Sequence, residues 1–228
     1  MEEWINQNQS CYVVAANVHL VMSAYWNDAY QKIINTAALI TPDGMPLVWG
    51  LRWLGIVKQT RVYGPDLMLA CCQRAAEKQI PVFFYGGTEG MLSQLTQFLL
   101  QQFPTLAIAG SYAPPFRLLN SEEEANIREI IHNSGARIVF VGLGCPKQEA
   151  WMARQQGNLQ AVMMGVGAAF SFHSGEVSQA PRWMMARGLE WLYRLMMEPG
   201  RLWQRYLVTN PAFVLLFSWQ LLKTRLKR

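Results

Sequence analysis

The chain has 228 residues, of which 51% are hydrophobic and only 15% charged, which excludes a disordered tail and leaves room for one sizeable core with or without an appendage. Its formal charge of +5 is lopsided: residues 181–228 carry nine Lys/Arg against two acids, a balance of +7, so an anionic partner is expected for the tail and not for the body. Four cysteines (Cys11, Cys71, Cys72 and Cys145) form no C-x-x-C pair and no metal-ligand spacing, and "MEEWINQNQS" has no apolar secretory core, so a reduced, cytosolic protein without a metal site is expected.

In chain order, six short apolar runs read as strands: "CYVVAA" (11–16), "AALIT" (37–41), "PVFFYG" (81–86), "LAIAGSY" (106–112), "RIVFVGLG" (137–144) and "AVMMGVG" (161–167). Amphipathic stretches between the later runs read as helices. The first covers 64–79, with Pro65 in its first turn; the second covers 88–103, with Thr88 as its cap. The third covers 120–135, capped by Ser121, acidic at its start and closed by Gly135. Strands alternating with helices of this length imply an α/β fold, a parallel sheet covered by helices on both faces. Ligands of such sheets bind at the carboxyl ends of the strands, where the glycine pairs Gly86–Gly87 and Gly142/Gly144 are expected to admit a phosphate.

The texture changes after residue 180, which divides a core (1–180) from a basic, aromatic-rich amphipathic helical appendage (181–228). The run "AFVLLF" is far short of the ~20 residues of a spanning helix. The mixture of Trp, Leu and Arg/Lys instead fits a helix lying on an anionic membrane surface. A helix docked on the core and a contact between copies of the chain are the alternatives. Nucleic acid is not expected as a partner, because the cations sit within a Trp/Leu/Met stripe rather than an openly polar groove.

Several polar residues stand at expected strand ends. Asn17, after the first strand, can bond a ligand or cap the next helix, and His19 beside it reads as a packed or surface histidine. Asp43, in "TPDGMPLVWG", is either a turn residue between Pro42 and a Gly44 that tolerates positive φ, or a base held at the lip of a cleft. Arg61, in "TRVYGPDLM", has the forked guanidinium suited to a diphosphate, while Asp66 reads as a helix N-terminal acid. In "VGLGCPKQEAWM", Lys147 and Gln148 are expected to offer donors to an anion at a helix start. Phe170, Phe172 and His173 can wall a base or sugar, or simply pack.

Together "PDGMPLVW", "TRVYGPDLM", "VFFYGGTEGM", "VGLGCPKQEAWM", "GVGAAFSFHSGEVSQAPRW" and "GLEWLYRLMMEPGRLWQRYL" resemble, in order and spacing, the WecG/TagA/CpsF glycosyltransferases, glycosyltransferase family 26. The resemblance implies a Rossmann-like core and an inverting, metal-independent transfer of an N-acetylmannosamine-type hexosamine. The donor would be a UDP-sugar, with no cofactor. The acceptor would be a polyprenyl-diphosphate-linked saccharide, met by a peripheral enzyme on the cytoplasmic membrane face, with a homo-oligomer as an option. It makes Asp43 the base, Arg61 the diphosphate-facing arginine, Gln148 the active-site glutamine and Asn17 an acceptor-side residue. Arg194, Arg201 and Arg205 become the appendage arginines that meet the leaving diphosphate. Two departures accompany it: Ala15 stands where family members carry Thr, and their extra N-terminal strand is not matched. The alternatives to a glycosyltransferase are another nucleotide- or SAM-dependent α/β enzyme and a non-catalytic membrane adaptor.

Overall fold

Six strands form one sheet in the order β2-β1-β6-β5-β3-β4, an α/β, Rossmann-like arrangement surrounded by helices in the computed structural model, which describes residues 1–226. Lys227 and Arg228, counted in the basic tail, lie outside the described residues. The elements run α1 (Glu2–Asn6), β1 (Cys11–Ala16), α2 (Val18–Trp26), α3 (Asp28–Asn35), β2 (Leu39–Pro42), α4 (Met45–Trp53), α5 (Gly64–Lys78) and β3 (Val82–Gly86). Then follow α6 (Glu89–Gln102), β4 (Ile108–Tyr112), α7 (Ser121–Asn133), β5 (Ile138–Gly142), α8 (Lys147–Gln155), β6 (Val162–Gly165), α9 (Ala169–His173), α10 (Arg182–Ala186), α11 (Glu190–Met197) and α12 (Pro199–Leu226). All six expected strands and all three expected helices are present.

The chain divides into two compact units. The first comprises Met1–Val14, Lys32–Ile40 and Gly64–Ser178. Its central strands are apolar along their whole length because both sheet faces are covered. One face carries Val13, Phe84, Phe140 and Met164 against α5, α6 and α9. Residues one step along point the other way: the Tyr85 ring stacks on Trp151 of α8 at 4.3 Å, and the Tyr12 hydroxyl bonds the Ile33 carbonyl and, at 2.7 Å, the Thr36 hydroxyl. The pairs β1–β6, β6–β5, β5–β3 and β3–β4 are parallel.

The second unit comprises Ala15–Gln31, Thr41–Tyr63 and Gln179–Arg228, so it contains α2, α4 and α10–α12. In it α12 packs along α2 and against α11. Pro211 does not interrupt α12, a helix of 28 residues. Among the described residues, no helix is long and apolar enough to cross a membrane.

One cap differs from expectation. Asn120, not Ser121, caps α7: its side chain accepts from the Glu123 N–H at 2.8 Å, and the Glu123 carboxylate accepts from the Asn120 N–H at 2.9 Å. The reciprocal bonding satisfies two otherwise orphaned donors; Ser121 has the same spacing to Glu124, but Glu124 is paired with Arg154 of α8, whereas Glu123 is held at the cap beside Arg117. Asn120→Ala is expected to lower unfolding free energy by about 1 kcal/mol in urea titration, with Ser121→Ala nearly silent.

Candidate active site

Asp43 lies where β2 gives way to α4. Gly44 has φ −81°, so the Pro-Asp-Gly stretch is not the positive-φ turn expected; it is a strand-to-helix junction with Gly44 as the N-cap of α4. Both junction amides are anchored, the Asp43 and Gly44 N–H groups donating to the Ala16 carbonyl at 2.8 and 3.3 Å. The next residue, Asn17, caps α2 by accepting from the Leu20 N–H at 3.1 Å. A Cβ on Gly44 would stand 3.6 Å from the Asn17 Cα, so the two junctions touch.

Arg61 reaches this junction from the loop before α5. Its Nε donates to the Asp43 carbonyl, and its Nη2 donates to Asp43 Oδ1 at 3.3 Å and to Glu190 Oε2 at 2.5 Å. Nη1 takes no part in these bonds. One face of the guanidinium lies 4.2 Å from the centroid of the Tyr63 ring. The three charged side chains are only 15–20% exposed. Burial alone would push the guanidinium pKa down, but the carboxylates of Glu190 and Asp43 outweigh it and hold the value above normal. Burial, reinforced by the same two carboxylates, pushes the Tyr63 phenol well above its ordinary value, so it stays protonated.

The second unit ties this cluster to α11 twice. Beside the Arg61–Glu190 pair, Gly188 at φ +72° accommodates Trp49 of α4, whose ring carbon would lie 2.6 Å from any added Cβ. "PDGMPLVW" and "GLEWLYRL" are therefore packed on each other. Arg194 of α11 is 19% exposed, lies 3.6 Å from Glu198 and is close enough to act electrostatically on Tyr63. Arg205 of α12 instead acts on His19, and its carbonyl accepts from Thr209. Arg201 is 63% exposed and shares Glu198 with Arg194, bonding it at 2.9 Å. His19 is held neutral, its pKa lowered to about 4 by burial and then by Arg205. Between α2 and α12 runs an apolar groove of about 590 Å³, lined among others by Met22, Tyr25, Phe213 and Phe217, with Lys223 over the Trp219 ring.

In the first unit the glycine-rich strand ends are used differently from expectation. A Cβ on Gly142 would meet the Phe170 ring at 2.5 Å, and one on Gly86 (φ +126°) would meet the Gly142 carbonyl carbon at 2.6 Å. The missing side chains at Gly142 and Gly86 thus make room for neighbouring protein. A Cβ on Gly87 would meet the Met91 sulfur at 2.7 Å, while Gly144 (φ +76°) faces open space. Gln148 is buried, its amide oxygen accepting from the Gly144 N–H at 3.2 Å and its amide nitrogen donating to the buried Glu149 at 2.8 Å. It shapes the Gly144 loop from behind, leaving Lys147 exposed at the start of α8. Phe170 is core, and His173 is buried, bonded to the Pro65 carbonyl and stacked on Phe98.

Over residues 1–227 the sequence matches the model of the Glycosyl transferase WecG/TagA/CpsF family. The chain belongs to that family. A relative from Bacillus spizizenii, N-acetylglucosaminyldiphosphoundecaprenol N-acetyl-beta-D-mannosaminyltransferase, is 32% identical over 212 residues, covering 92% of this chain and 80% of its own. Family membership makes the chain a glycosyltransferase and displaces both the cofactor-enzyme and the adaptor readings. Within this member, Asp43 and Arg61 are joined directly, and Arg194 lies near them through Tyr63. The residue missed from sequence is Glu190; its signal was an acid opening an otherwise aromatic, cationic helix.

Glu190→Ala is expected to cost about 1–3 kcal/mol of unfolding free energy in urea titration, because it leaves a mostly buried guanidinium short of a partner. The unfolded state binds the His19 proton more tightly than the folded one, so this histidine's contribution is full above pH ~6.5 and is lost as pH falls toward 4. His19→Gln should remove about 1–3 kcal/mol of that acid sensitivity, measured by urea titration across the same pH window.

Proposed function

We propose that this glycosyltransferase moves an N-acetylmannosamine-type hexosamine from a UDP-sugar to a polyprenyl-diphosphate-linked N-acetylglucosamine. The activity named for the Bacillus spizizenii relative supports the sugar and the acceptor. The transfer is an inverting single displacement that needs no metal and takes place at the cytoplasmic membrane face.

The observation that carries this reading is the junction at Asp43, where one carboxylate and one guanidinium are held together by Glu190 and Tyr63. In the proposed step an acceptor hydroxyl oxygen attacks the anomeric carbon of the donor. The bond from that carbon to the UDP oxygen breaks, the hydroxyl proton passes to Asp43, and the bonding pair leaves with the diphosphate. One base suffices for inversion. The negative charge gained by the diphosphate calls for fixed positive charge, the part metal ions take in many transferases. Arg61, with Nη1 outside its internal bonds, and Arg194 supply it here. Glu190 positions Arg61, and Asn17 lies beside the base on the acceptor side. In the first unit the Gly144 loop, shaped by Gln148 and followed by Lys147, is the candidate anion-binding element, because a bare backbone and a cation precede a helix start.

The lipid-linked acceptor requires access to a bilayer surface. The exposed apolar residues of α12 (Leu207, Val214, Leu215 and Leu222 among them) and the groove beside α2 supply surface for it.

Asp43→Asn should lower transfer to a soluble polyprenyl-diphosphate-N-acetylglucosamine analogue by at least about a hundredfold, while UDP affinity is largely kept. Arg61→Ala should weaken UDP binding and turnover together. Wild-type rates in Asp43→Asn would remove Asp43 from the mechanism, and loss of wild-type activity in EDTA would remove the metal-independent reading.

A further inference from the structure

The loop that follows α4 is apolar, cationic and unusually exposed. Trp53 is 62% exposed, Ile56 51% and Val57 74%. Three such side chains within five residues are uncommon on a surface with no partner.

The loop is also well ordered. The Gly55 N–H donates to the Arg52 carbonyl and the Ile56 N–H to the Leu51 carbonyl, the paired bonds that reverse a chain after a helix, with Gly55 at φ +109°. The Gln59 N–H returns to the Ile56 carbonyl, and the Arg52 Nε donates to the Gln59 carbonyl at 2.8 Å, closing the loop at its base. Ile56 and Val57 are thus presented at the tip with little conformational freedom left to lose on contact.

Charge and continuity indicate what the tip meets. No acidic residue lies between Asp43 and Asp66, whereas Arg52 and Lys58 flank the tip. Trp53 stacks on Phe217 of α12 at 6.2 Å, so the loop is rooted on the helix whose apolar residues are also exposed. A Trp/Ile/Val tip between cations, without acids, has the composition of a bilayer-interface element.

We infer that the loop Trp53–Lys58 is a second membrane-contact element, outside the C-terminal helices, which inserts Ile56 and Val57 into an anionic phospholipid surface. This rests on the reading of the enzyme as membrane-peripheral. It adds that the bilayer is gripped at two places in the second unit, one of them on the helix that begins at the Asp43 junction.

The test is co-sedimentation of the full chain with phosphatidylcholine vesicles, with and without phosphatidylglycerol. The variants are Ile56→Ser/Val57→Ser and Val57→Trp, each checked for an unchanged melting temperature and UDP affinity. The expected result is partition onto anionic vesicles that falls on the order of tenfold in the double-serine variant and rises in Val57→Trp. Wild-type partition with neither variant changing it would overturn the loop's role and leave the membrane reading to α12, pointing the tip to a protein partner instead. No partition of the wild type would overturn both.

Discussion

A guanidinium as secluded as that of Arg61 needs counter-charge within reach, and it finds two carboxylates from segments far apart in sequence, Asp43 and Glu190, together with the face of Tyr63. Taking an ion out of water costs several kcal/mol, and the arrangement persists only because the remaining donors and the ring offset that loss. The consequence is geometric. The Asp43 junction is pinned from one side by the Ala16 carbonyl and from the other by Arg61, so its carboxylate is aimed by the structure and not by a flexible turn. Everything proposed for the reaction depends on that aim.

The same cluster accounts for features that look unrelated along the chain. Gly188 admits Trp49, and Glu190 two residues later receives Arg61, so the start of α11 is docked by shape and by charge at adjacent points. The proposed step assigns the leaving group to arginines, and partly buried cations of that kind need counter-charge within the protein. Internal carboxylates such as Glu190 and Glu198 supply it for Arg61, Arg194 and Arg201. Under the proposed mechanism a donor diphosphate would compete with these carboxylates, which would favour a strongly charged donor over a weak one.

How far the sequence could be read depended on the range of the interaction. The six strands and the helices α5, α6 and α7 were legible because burial on two faces writes long apolar runs and amphipathic periods locally. The Thr88 cap was legible for the same reason, whereas the choice between Asn120 and Ser121 turned on a reciprocal bond that either residue type could begin. The glycines carry a second demand that spacing does not reveal. Expected as ligand-approach positions, Gly142 and Gly86 also lack side chains because Phe170 and the facing backbone need the room, contacts invisible to spacing. Gln148 had the right type and place for a donor, but its buried amide is turned to Gly144 and Glu149. Glu190 was passed over because an acid in the first turn of a helix has a sufficient local explanation in the helix dipole.

In the proposed reaction a single framed carboxylate serves a single displacement. It is tested most directly by the anomeric configuration of the product, read by NMR from one-bond carbon–proton coupling after transfer from an α-linked UDP-N-acetylmannosamine. A β-linked product, with the configuration inverted, is expected. An α-linked product would require a covalent intermediate or attack from the leaving-group side, and would contradict the assignment of Asp43 as the sole base.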